Sequence, residues 1–102
     1  MAKFVYLYTG GKLAETPEAQ EQAMQAWGAW FGTLGGAVTD VGNPFGTSAT
    51  VKPDGVAGSG ASNAGGYSII EAGSLEDATG KVAGCPILQT GGTVEVYEAI
   101  AM

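Results

Sequence analysis

The chain has 102 residues, 45% of them hydrophobic, with ten acidic and four basic side chains and a formal net charge of −6. It contains no histidine, no arginine and one cysteine, Cys85, which excludes His-based catalysis, His-ligated metals, bidentate guanidinium clamps and an internal disulfide. Four scattered lysines make no basic patch, so neither nucleic acid nor an anionic membrane is an expected partner, and the dispersed acids make no all-oxygen metal site. The length implies a single domain, residues 1–102. The longest early apolar run, Phe4 to Tyr8, is too short for a signal peptide, so a cytoplasmic protein is expected.

Lys3 to Tyr8 is aromatic and β-branched and stops at Thr9-Gly10-Gly11, which predicts a strand. Alternation puts Val5 and Leu7 on one face and Phe4, Tyr6 and Tyr8 on the other. Thr16 and Pro17 predict a helix start, with Thr16 as N-cap. Gln20, Ala23, Met24, Trp27, Trp30, Phe31 and Leu34 form its expected apolar stripe, and Gly35-Gly36 ends it. Within the helix, Gly28 and Gly32 each cost about 1 kcal/mol relative to Ala; close packing against a strand is the expected reason for them, and exposure of backbone to a ligand the less favoured one.

Ala37 to Val41 reads as a second strand and Gly42-Asn43-Pro44 as a turn. Thr47 to Lys52 alternates weakly, as a strand or a ragged edge. Pro53-Asp54-Gly55 is a turn signal, and the glycine-rich stretch of about 53–66 reads as a flexible loop. Gly66 to Ala72 predicts a core strand with Tyr67, Ile69 and Glu71 on one face. Ser74-Leu-Glu-Asp77 fits a capping box, so a helix starts at Ser74 and buries Leu75, Ala78, Val82 and Cys85. Gly84 ends it and Pro86 prevents its return. Thr93 to Ile100 is the last strand.

The order β-α-β-(β)-β-α-β suggests an α+β, ferredoxin-like sandwich: an antiparallel sheet with two helices on one face. Phe4, Tyr6, Tyr8 and Tyr67 are then expected on the uncovered face. Such a patch is too apolar for water, and a second copy about a two-fold axis is the simplest cover. A homodimer with a cavity between its sheets is therefore expected.

Gly66-Tyr-Ser-Ile-Ile-Glu-Ala, Ser74-Leu-Glu-Asp-Ala, Gly84-Cys-Pro-Ile-Leu and Gly91-Gly-Thr-Val-Glu-Val follow in order. With Trp27-x-x-Trp30-Phe31, Gly36 to Asp40 and Gly42-Asn-Pro-Phe45, they resemble the YCII-related (DGPF-type) domain family over nearly the whole chain. The resemblance implies a dimeric α+β barrel and a function that is mostly uncharacterised. Some members place a His on the first helix beside an Asp. Asp40 matches the acidic position, but the chain has no His, so that chemistry does not carry over. Relatives are often encoded beside alternative sigma factors, which implies a regulatory role.

Asp40 and Glu71 are the candidate catalytic acids. Asp40 has the alternative role of bonding its own turn backbone, and Glu71 that of a solvated strand end. Tyr6, Tyr8, Trp30, Asp40, Asn43, Phe45 and Tyr67 are candidate ligand contacts; Trp27 reads as core. Cys85, at a helix C-terminus, is a spacer rather than a nucleophile. Gly58-Ser-Gly60-Ala-Ser-Asn63 lacks the third glycine of a dinucleotide loop and no P-loop exists, so no cofactor is expected. Three readings follow: a module binding a small organic metabolite, a cofactor-free isomerase or monooxygenase, and an assembly domain without a ligand. The enzyme reading requires Asp40 or Glu71 to meet a Tyr hydroxyl in a cavity.

Overall fold

In the computed structural model, which describes all 102 residues, Ala2–Thr9 forms β1, Pro17–Leu34 forms α1, and a 3-10 turn over Gly35–Ala37 leads into β2, Val38–Asp40. A ribbon follows, with β3 at Val51–Lys52 and β4 at Gly55–Val56. Then come β5 (Ala64–Ala72), α2 (Leu75–Gly80), α3 (Pro86–Gln89) and β6 (Thr93–Ala99). The result is an α+β fold around one four-stranded antiparallel sheet in the order β2-β5-β1-β6.

The helix starts follow local chemistry. Thr16 Oγ1 accepts the Ala19 N–H at 3.0 Å, and Ser74 Oγ accepts that of Asp77 at 3.1 Å. Each satisfies one of the amides a helix start leaves unpaired. Asp77 reaches back to accept the Gly73 N–H at 3.0 Å. α2 ends at Gly80, and Pro86 opens a further short helix, α3, at its first position. That helix was not expected from the sequence, although Pro at a first helical position is well suited to it. Cys85 precedes Pro86 and is fully buried.

The faces of β1 are the main correction. Phe4, Tyr6 and Tyr8 lie under the helices within a single chain, at 1%, 0% and 7% exposure. They are not on the open face, and no partner is needed to cover them. Cross-strand register decides this. Tyr6 stands opposite Ser68 and Val96, whereas Leu7 stands opposite Tyr67 and Glu95. The small side chains of Ser68, Ala72 and Ala78 leave room for the rings, and Trp30, Ile70, Val82 and Cys85 close the core. The open face instead carries Lys3, Val5, Leu7, Tyr67, Ile69, Glu71, Glu95 and Tyr97.

α1 also departs from the expected stripe. Met24 is 75% exposed and Gln20 is exposed, while Ala19, Ala23, Trp27, Phe31 and Leu34 face inward and Trp30 is buried. A helix contacting the sheet mainly through its second half has no reason to bury Met24. Leu75, expected in the core, is likewise exposed. Nothing lies within contact distance of a Cβ placed on Gly28 or Gly32, so close packing does not explain either glycine.

The glycine-rich stretch is hydrogen-bonded, not a free loop. Ala57 N–H donates to Thr50 O and Thr50 N–H to Gly58 O, Gly60 N–H donates to Ser48 Oγ, and Phe45 N–H donates to Gly65 O. These bonds zip the segment into an arm with Pro53-Asp54 at its tip. Its Val51 and Val56 are exposed.

A cleft between the first helix and the 41–44 turn

A cleft of about 990 Å³ lies beside the C-terminal end of β1. One wall is α1, through Ala23, Trp27 and Phe31. A second is the turn Val41–Pro44 with Gly65–Ser68 of β5, and the remainder comes from residues 10–14 and from Ile87 to Thr90 around α3. The cleft exists because the first half of α1 stands away from the sheet.

The turn wall is held from below. The Tyr8 hydroxyl donates to Ser68 Oγ at 2.8 Å, and the Ser68 hydroxyl donates to Val41 O at 2.7 Å. Gly42 adopts φ 75°, and a Cβ there would fall onto the Tyr67 carbonyl. Only glycine lets the turn lie this close to β5. Asp40 Oδ1 accepts the Gly42 N–H at 2.8 Å, the turn-bonding role weighed from sequence. Its other oxygen accepts the Tyr67 hydroxyl at 3.2 Å. Phe45 stacks on Tyr67 with centroids 5.8 Å apart.

Aromatic rings floor the cleft. Tyr8 and Trp27 meet edge to face at 4.9 Å, and Trp27 and Phe31 lie 5.9 Å apart. Burial, partly opposed by the Ser68 hydrogen bond, pushes the Tyr8 hydroxyl well above the usual phenol range. Tyr6 is pushed up to about 12, first by burial and then by the charges of Cys85 and Asp77. Both stay protonated at neutral pH. Burial also pushes the Cys85 thiol up, against a weaker pull from the Ile87 amide.

Of the residues singled out from sequence, Tyr8 and Asn43 line this cleft, and Tyr67 borders it from β5 while its ring lies on the open face. Asp40 and Phe45 sit directly behind it, each against Tyr67. Tyr6 does not reach it: its hydroxyl is buried, donating to Ala78 O at 2.5 Å. Trp30 is also outside. Its indole N–H donates to Lys81 O at 3.3 Å, and its ring borders a separate depression of about 340 Å³. Glu71 lies on the open face, opposite Lys3 in register. Trp27, read as core, lines the cleft instead, together with Lys12 and Gly28. Gly28, expected from sequence to pack against a strand, has open space where a Cβ would stand, as the less favoured reading of it required.

No acidic side chain lines the cleft. No group of three or more acids or thiols is placed to hold a metal ion. No helix is long and apolar enough to cross a membrane. Compared with family models, with curated proteins and with solved structures, the chain matches none of them.

Proposed function

We propose that the chain is a binding module for a small organic metabolite, held in the cleft between α1 and the 41–44 turn. The observation carrying this reading is the cleft itself: about 990 Å³, walled by Tyr8, Trp27 and Phe31, with no acid on its surface. Small-molecule sites are concavities of this order, mostly apolar, with few polar groups. Titration with a neutral bicyclic aromatic, 2-naphthol, tests it. Saturable binding at one site per chain, lost in Trp27→Ala, is the expected result; no saturable binding contradicts it.

The helix-covered sheet and its strand order fit a ferredoxin-like protomer of the YCII-related kind, and we extend the proposal to a homodimer joined through the open face. The accessible surface is 6883 Å², against roughly 5,300 Å² for a compact monomer of this mass. The radius of gyration is 14.8 Å, against about 12.8 Å for this length. The surplus exceeds the roughly 800 Å² per partner of a standard interface. Val5, Leu7, Tyr67, Ile69 and Tyr97 supply an apolar surface there, and the arm leaves Val51 and Val56 exposed. Sedimentation equilibrium at micromolar concentration is expected to give twice 10.2 kDa, and Leu7→Glu the monomer. A wild-type monomer rejects the dimer and leaves the cleft untouched.

The contact of Asp40 with Tyr67 supports a second reading, a cofactor-free enzyme in which the pair moves a proton on the open side of the sheet, behind the cleft. In that case Asp40→Asn removes turnover while leaving ligand affinity largely intact.

A further inference from the structure

We propose that the cleft is selective for a planar aromatic monoanion, an aryl carboxylate, seated against Trp27 with its charge on Lys12. This rests on the cleft being a binding site, and it begins with charge. The chain carries ten acids and four lysines, yet the one charged side chain lining the cleft is Lys12. The chain's ion pair joins Lys81 to Asp77, so Lys12 is uncommitted. A single cation in the field of a −6 chain compensates one negative charge. A dianion would leave its second charge facing net repulsion. A lysine is a point charge on a flexible stem, which suits a carboxylate held from one side.

Shape supplies the second half. Trp27 is half-buried, so part of its indole surface remains available in the cleft beside Tyr8 and Phe31. Aromatic rings prefer offset-stacked or edge contacts with other rings, so a flat ligand gains more here than a branched aliphatic one. The Asn43 side chain, on the turn wall, is a neutral donor for a ring substituent or the second carboxylate oxygen.

The test compares 2-naphthoate with its neutral isostere 2-naphthamide by calorimetry, on wild type, Lys12→Met and Lys52→Met, at low and physiological salt. Lys52 lies in the arm, away from the cleft. The expected result is a preference for the acid of about three- to tenfold at low salt. It shrinks with added salt, disappears in Lys12→Met and survives in Lys52→Met. Equal affinity for acid and amide, or a preference that survives in Lys12→Met or falls equally in Lys52→Met, overturns the role of Lys12 while the binding reading stands. Failure of both ligands to bind overturns both.

Discussion

Tyr8 and Ser68 stand on adjacent strands of one sheet, and the 2.8 Å hydrogen bond between their hydroxyls continues to the carbonyl of Val41, in the cleft wall. One buried serine thus couples the core of the sheet to the shape of the cleft. Ser68→Ala leaves a buried hydroxyl and a backbone carbonyl without partners, and we expect a loss of about 1–3 kcal/mol in urea unfolding. Tyr8→Phe removes one donor and should cost nearer 1 kcal/mol. The double variant should fall short of the sum, because both changes break one network. Additive losses would show the relay to be energetically idle.

The two glycines of special interest should respond in opposite directions. Gly32 has open space around a new Cβ and ordinary helical backbone, so Gly32→Ala is expected to add up to about 1 kcal/mol. For a domain of this size that raises Tm by roughly 4–8 °C. Gly42 has φ 75° and no space against Tyr67. Gly42→Ala is expected to lower stability by more than about 1 kcal/mol and to weaken binding in the cleft. Thermal melts of the two variants side by side check both.

Trp27 and Trp30 separate packing from binding. Trp30 is 4% exposed in the centre of the core, and Trp30→Ala should cost about 3–5 kcal/mol. Trp27→Ala should cost clearly less in denaturant unfolding while abolishing cleft binding. Equal destabilisation by both would mean that Trp27 is core after all.

Alkaline pH should unfold the protein through its buried phenols. Folding holds Tyr6 and Tyr8 neutral, whereas in the unfolded chain both ionise near their ordinary value of about 10. Their folded values are raised, so their contribution is complete below pH 10 and is lost as pH climbs through the folded value, about 12 for Tyr6. The loss approaches about 1.4 kcal/mol per pH unit for each tyrosine. Denaturant unfolding from pH 8 to 11.5, with phenolate absorbance followed in parallel, should show stability falling above pH 10 and two tyrosines ionising only on unfolding.

The legible parts of this sequence were those written in neighbouring residues. Thr16, Ser74 and Pro53-Asp54-Gly55 act within three or four positions, so the two main helix starts and the arm tip could be read directly. The inward face of β1 could not be read from β1 alone, because Val5 and Leu7 are as apolar as Phe4 and Tyr6. Pairing register settles it. Lys3, Glu71 and Glu95 share one face of the assembled sheet, and that common charge was a usable signal for which side faces away from the helices. The cleft depends on where α1 leaves the sheet, a tertiary property, and Lys12 lies in a connecting segment with no motif of its own. Tyr8, Asn43 and Tyr67 were singled out for a pocket between two sheets, whereas the cleft that they border lies on the helix side of one.

The binding claim is tested most directly by the two indole N–H signals in a ¹H–¹⁵N spectrum during titration with 2-naphthol. Occupancy of the cleft should move the Trp27 signal and the amides of residues 10–14 and 41–44. The Trp30 signal, buried and bonded to Lys81, should stay in place. An unmoved Trp27, or shifts spread evenly over both indoles and the distant arm, would contradict a ligand site between α1 and the 41–44 turn.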